Sequence, residues 1–240
     1  MSRARVVRIA PPDESGRCEG LAYALFRPAG EILGSVVILH GAGSAKESHF
    51  DYARQARALG FAAIAFDLRG HGESGGALDG DVERDVLAIT RLLPDGPVAL
   101  RGSSLGGYLA LAVAQAVEAA AVVAICAAST EGLRRGVRNG TLGGRIDAPS
   151  FDGYLRAHDV TAAVAALSVP LLLLHAEGDE IVPVEHSHAL LAASGSPTRR
   201  LIAVPGGHHR SLQHDEEIQG VSLRFLARAL ADDAPAAAER

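Results

Sequence analysis

Short, continuous apolar runs recur along this chain, and almost every one is followed by a loop and a helical stretch. Ser35-Val36-Val37-Ile38-Leu39-His40 and Phe61-Ala62-Ala63-Ile64-Ala65-Phe66 show no polar alternation, so they read as strands covered on both faces. Residues 98–101, 121–126, 170–175 and 200–204 read the same way, with 20–26 as an earlier strand. Between them, 50–59, 81–93, 105–116 and 184–193 suit helices. Val82, Val86, Ile89 and Leu93 share one face of the second, and a last helix is expected at about 215–230. Such alternation demands a mostly parallel sheet with helices packed on both faces, an α/β fold.

With 240 residues, 48% of them apolar, the chain can bury one full core, and a single domain over 1–240 is expected. The rhythm breaks at about 127–168. Residues 131–145 are rich in Gly and Arg without helical spacing, and only 154–167 reads as helix again. An excursion of this length exceeds an ordinary connection and is expected to form a small cap over a site. The formal charge of -5 gives no basic excess, so neither nucleic acid nor an anionic membrane surface is expected as partner. Charges interrupt residues 1–8, no run is long enough to span a bilayer, and Cys18 and Cys126 make no disulfide framework. A cytoplasmic protein with a small-molecule partner is expected, and 231–240 has the composition of a frayed end.

Chemistry enters at Gly102-Ser103-Ser104-Leu105-Gly106, where the strand 98–101 gives way to an alanine-rich helix. A serine on a sharp strand-to-helix turn needs neighbours without Cβ atoms, so this spacing points to Ser104 as a nucleophile. With 27 glycines in the chain such a spacing also arises by chance, and Gly72-Glu73-Ser74-Gly75-Gly76 is a second match. No helix opens at Ser74, so context separates the two. The overlapping Gly70-His71-Gly72-Glu73-Ser74-Gly75 spells a dinucleotide fingerprint, yet its third glycine starts no helix, and no cofactor is expected. A nucleophilic serine needs an acid and a base at later strand ends. Asp179 follows one strand and the pair His208-His209 follows the next, in the chain order Ser, Asp, His.

The remaining candidates have bland readings. His186, His188, His208, His209 and His214 could be gathered around a metal, but i, i+2 on a helix points side chains apart, and no metal is expected. Arg134, Arg135, Arg138 and Arg145 are either a solvated face or a grip on a substrate carboxylate or phosphate. Tyr108, one turn after Ser104, is expected to pack its helix.

Taken together, Leu39-His40-Gly41-Ala42-Gly43, Asp67-Leu68-Arg69-Gly70-His71-Gly72-Glu73-Ser74, Gly102 to Gly106, His175 to Pro183 and Pro205-Gly206-Gly207-His208-His209 resemble the α/β-hydrolase superfamily, from Val36 to about Leu230. Within it the chain is similar to short-capped bacterial serine hydrolases of the carboxylesterase, dienelactone-hydrolase-like and serine aminopeptidase-like groups. The resemblance implies Ser104 as nucleophile, Asp179 as acid and, counting Pro-Gly-x-x-His from Pro205, His209 rather than His208 as base. It implies an oxyanion hole from the backbone N–H groups of Ala42 and Leu105, with His40 and Asp67 as architectural residues. The implied activity is cleavage of a small acyl ester, thioester or lactone through an acyl-enzyme. The alternatives are a ligand sensor with little turnover, cofactor-free haloperoxidation and acyl transfer. Dehalogenation would want an Asp where Ser104 stands.

Overall fold

The computed structural model describes residues 9–232. Its elements run β1 (Glu14–Cys18), β2 (Leu21–Phe26), β3 (Gly34–Leu39), α1 (Phe50–Ala58), β4 (Phe61–Phe66), α2 (Val82–Thr90), β5 (Val98–Ser103), α3 (Leu105–Val113), β6 (Ala121–Ile125), α4 (Thr130–Asn139), α5 (Ala148–Ala157), α6 (Val160–Ala166), β7 (Leu171–Ala176), α7 (Val184–Ala193), β8 (Arg199–Val204), α8 (Ser211–His214) and α9 (Glu216–Asp232). The expectations for residues 1–8 and for the tail past 232 lie outside the described residues. Ala231 and Asp232 still belong to α9.

One eight-stranded sheet has the order β1-β2-β4-β3-β5-β6-β7-β8, antiparallel at β1-β2 and β2-β4 and parallel from β4 to β8. This is the α/β-hydrolase fold. Val36, Ile38, Val123, Leu172 and Leu174 bury one face against Tyr52 of α1 and Leu223 and Leu226 of α9. Val37, Leu100, Val122 and Leu173 bury the other against α2, α3, α6 and α7. Two-sided burial is why these strands carry no polar alternation. The polar β1 gives no such signal and is absent from the sequence reading. It forms because Glu19 (φ 49°) and Gly20 (φ 84°) make a two-residue turn with both φ positive, the twist a tight hairpin needs.

The sheet also dictates where a site can lie. β3 has β4 on one side and β5 on the other, so the chain reverses its direction of growth there. The loops leaving the carboxyl ends of β3 and β5 diverge and open a crevice between them. Ala42 follows β3 and Ser104 follows β5, so both sit on its rim.

The excursion after β6 corrects the sequence reading. Residues 130–139, read as irregular, form α4: Ser129 Oγ accepts the Gly132 N–H at 3.0 Å, and Gly140 (φ 62°) closes the far end in the left-handed region. Glycine inside a helix costs about 1 kcal/mol relative to Ala, which hid the pattern. Gly136 repays it in packing, since a Cβ there would lie 2.8 Å from Leu142. The stretch 154–167, read as one helix, is split between α5 and α6. Asp147 caps the first on Ser150 N, and Asp159 caps the second on Thr161 N and Ala162 N. A bridge between Leu78 and Ile146 ties the excursion to the loop after β4.

Candidate active site

Ser104 stands between β5 and α3 with φ 53° and ψ -117°, a conformation L-residues rarely adopt. The flanking glycines are obligatory: a Cβ on Gly102 would lie 2.0 Å from Gly106 O, and one on Gly106 2.1 Å from Leu39 O. Backbone bonds fix the turn, with Ser104 N–H donating to Ile125 O at 2.9 Å and Ser104 O accepting from Tyr108 N at 3.0 Å and Ala128 N at 3.1 Å. The hydroxyl caps nothing and faces a cavity. Tyr108 is fully buried and its hydroxyl donates to His158 O, so it ties α3 to the end of α5.

Asp179 and His209 meet. His209 Nδ1 lies 2.7 Å from Asp179 Oδ2, and the Asp179 side chain is 1% exposed. Asp179 Oδ1 accepts the N–H groups of Ile181 (2.8 Å) and Val182 (2.9 Å). Burial pushes the Asp179 carboxyl up, but the Val182 N–H, His209 and the Ile181 N–H outweigh it and hold the group below its ordinary value, ionised at neutral pH. Glycine again makes the approach possible, since a Cβ on Gly178 would lie 2.4 Å from Gly207 O. The neighbouring His208 makes no hydrogen bond or ion pair with Asp179; its Nδ1 accepts the Arg210 N–H at 3.3 Å. Ser104 and His209 line the same cavity, and among the described residues no hydrogen bond joins them.

That cavity holds about 890 Å³ and runs from Ala42, Ser104 and His209 to the wall of α4. A smaller space of about 40 Å³ lies between Gly41, Ser103, Ser104, His209 and Gln213. Among the described residues the N–H groups of Ala42 and Leu105 have no acceptor. His40 joins two loops instead: its Nε2 accepts the Leu68 N–H at 3.0 Å while Nδ1 meets Gly41 O at 2.7 Å. Asp67 accepts from Lys46 N, Lys46 Nζ and Glu73 N.

Of the histidines of the metal reading, His208 and His209 line the large cavity. His186 lines it too, His188 is exposed on the same helix, and His214 stacks on His49. One grouping escaped the sequence reading: ligand atoms of Cys126, His175 and Asp179 lie within 4.8 Å of one another. Its donors are engaged elsewhere. His175 bonds Ser187 Oγ (2.7 Å) and Val182 O (2.9 Å), both Asp179 oxygens have partners, and burial pushes the Cys126 thiol up to about 12. His175 Nε2 lies 3.5 Å from Asp179 Oδ2. Sequence reasoning also left out His186 and Arg210 as cavity residues, because only tertiary contacts put them there.

A family model described as alpha/beta hydrolase fold matches residues 34–139, and one described as serine aminopeptidase, S33, matches 143–217. The first match agrees with the α/β-hydrolase fold of the eight-stranded sheet. It is 26% identical over 217 residues to the uncharacterized protein YfhR of Escherichia coli O157:H7, covering 85% of this chain and 73% of that protein. It is 32% identical over 181 residues to the mitochondrial palmitoyl-protein thioesterase ABHD10 of Mus musculus, covering 64% of this chain and 61% of that one. Among solved structures, Est1E of Butyrivibrio proteoclasticus with ferulic acid bound superposes with a TM-score of 0.72 at 21% identity, over 91% of this chain and 99% of that one.

Proposed function

We propose that the chain is a serine hydrolase of the esterase type, cleaving a small acyl ester, thioester or lactone with Ser104, His209 and Asp179. The observation that carries this is the 2.7 Å contact between His209 and Asp179 on the cavity that Ser104 also lines. With Nδ1–H held toward Asp179, Nε2 is left to take the Ser104 proton as Oγ attacks the acyl carbon. Asp179 stays ionised and stabilises the imidazolium. The Ala42 and Leu105 N–H groups receive the oxyanion. His209 then protonates the departing alcohol or thiol, and water repeats the sequence on the acyl-enzyme. No cofactor or metal is needed for any step. The excursion 127–168 serves as the cap, with α4 as the far wall of the cavity. The thioester option draws support from the ABHD10 likeness.

The test is labelling with a fluorophosphonate probe, then a panel of nitrophenyl esters, thioesters and lactones. Wild type labels and turns over; Ser104→Ala does neither, and His209→Ala loses turnover while His208→Ala keeps it. Labelling that survives in Ser104→Ala overturns the reading. Tight ligand binding with no product favours a sensor on this scaffold.

A further inference from the structure

Of the five arginines in the excursion, four are committed, among them Arg156, whose Nη2 lies 2.6 Å from Asp152 Oδ2. Arg134 Nε lies 2.9 Å from Asp152 Oδ1, Arg138 Nη2 lies 2.8 Å from Glu131 Oε1, and Arg145 donates to Gly76 O at 2.9 Å and Ser74 O at 3.2 Å. Arg135 differs. Among the described residues its side chain makes no ion pair or hydrogen bond, and it lines the large cavity. Gly132, Arg135, Gly136 and Asn139 all line that cavity, and their i, i+3, i+4, i+7 spacing makes them one face of α4. Arg134 and Arg138 leave the helix on other faces, toward their carboxylates.

The other charges on the cavity sit at its opposite end. Glu180 Oε2 accepts the His209 N–H at 3.1 Å, and Arg210 lines the cavity there beside Ser104 and His209. The α4 wall carries one guanidinium that no carboxylate holds by a hydrogen bond among the described residues. Between the two ends lie Leu142, Ile181, Val182 and Pro183, with Ile181 62% exposed. The cavity thus offers a nucleophile, an apolar stretch and a cation in one space.

We propose that Arg135 binds an anionic group, carboxylate or phosphate, carried by the substrate of Ser104. A guanidinium meets either anion with two parallel N–H donors, which a neutral ester tail cannot use. The inference rests on Ser104 as the acylated residue and adds a substrate class, amphipathic esters or thioesters with a charged end. The anion can sit on the acyl chain, as in a dicarboxylate half-ester, or on the leaving group, as in a phosphate-bearing thiol.

Two matched pairs separate these sources: mono-nitrophenyl suberate against nitrophenyl octanoate, and octanoyl-coenzyme A against octanoyl-N-acetylcysteamine. Wild type should favour the charged member of one pair by about tenfold in kcat/KM, a preference that shrinks as NaCl is raised. Arg135→Gln should bring that ratio near one, Arg135→Lys should restore part of it, and Arg138→Gln should leave it unchanged. A ratio near one in both pairs, or a preference that survives Arg135→Gln, overturns the inference. Binding to Ser104→Ala, followed as a thermal shift with the intact substrates, separates the subsite from the chemistry. If wild type hydrolyses neither pair but Ser104→Ala still discriminates the charged member through Arg135, the subsite stands and the hydrolase reading falls. If Ser104→Ala shows no discrimination, the subsite falls.

Discussion

Two stretches of this chain spell Gly-x-Ser-x-Gly, and the fold uses their serines in opposite ways. Ser74 is 2% exposed, and its hydroxyl donates to Asp67 O at 2.6 Å while accepting the Ala22 N–H at 2.9 Å. Its loop is closed by backbone bonds from Gly70 N to Gly75 O and from Ser74 N to His71 O. Gly72 is there to admit a side chain, since a Cβ would lie 2.3 Å from Asp67 Oδ2. At Ser104 the glycines admit backbone, the α3 start against β5 and the β3 end, and the hydroxyl is left facing a cavity. A serine whose hydroxyl is bonded at both lone pair and proton is part of the scaffold. One held at positive φ with its hydroxyl toward a cavity is available for chemistry.

The largest expected difference is in turnover. Ser104→Ala should lower kcat by at least ~10³-fold, because the step that forms the acyl-enzyme is lost while binding and the oxyanion donors remain. Ser74→Ala, assayed per folded molecule, should stay within a few-fold of wild type. Equal losses in both variants at equal folded fraction, by near-ultraviolet circular dichroism, would erase the distinction. Asp179→Asn should cost about 10²- to 10⁴-fold in kcat, since the amide presents the wrong partner to His209 Nδ1 and no longer stabilises the imidazolium. An Asp179→Asn enzyme that keeps most of its kcat would remove the acid from the site.

How much of this was legible follows the same division. Ser104 was readable because a strand and a helix of strong pattern flank it, and Asp179 and the His208-His209 pair because each follows an apolar run. The choice of His209 came from motif register; its 2.7 Å approach to Asp179 is a tertiary fact. What escaped had no local signal. β1 is polar and is made by a turn, α4 hides two glycines inside a helix, and the Cys126, His175 and Asp179 cluster joins three separate segments. Arg135 could be seen as a cation in the sequence but not told from Arg134 and Arg138, because Arg134 is engaged by Asp152 of α5, which only packing brings there, and Arg138 by Glu131 seven residues back on its own helix.

Below turnover comes a pH effect at the joint between the two regions. His40 bonds the loop that carries Ala42 to the loop that leads to Ser74, and burial lowers its pKa to about 4. A histidine lowered on folding binds fewer protons in the native state than in the unfolded chain. Stability is therefore unaffected above the ordinary value near 6.5 and falls as pH drops from there to about 4, by roughly 3 kcal/mol for this group. Urea titrations at pH 7 and pH 4 should show the advantage of wild type over His40→Gln narrowing by that order. An advantage that stays constant would mean that His40 is not held neutral.

Smaller again is the effect of the scaffold serine. Ser74→Ala leaves the buried Ala22 N–H without an acceptor, so unfolding free energy should fall by about 1–3 kcal/mol. A change below a few tenths would place the loop closure in its backbone bonds alone.

The smallest effect carries the opposite sign and reports on strain directly. At φ 53° and ψ -117°, Ser104 keeps a Cβ in a region where such residues cost about 1–3 kcal/mol. Glycine adopts that conformation freely but adds unfolded-state freedom of about 0.5–1 kcal/mol, so Ser104→Gly should stabilise the chain by about 1 kcal/mol. Ser104→Ala retains the Cβ and keeps the strain, which makes the gap between the two variants a measure of backbone alone. Ser74 has no positive φ, so Ser74→Gly should lose stability relative to Ser74→Ala. Equal and opposite responses at the two serines would show that the elbow is held against its own preference by the sheet around it; a Ser104→Gly variant less stable than Ser104→Ala would show that the turn at Ser104 is relaxed.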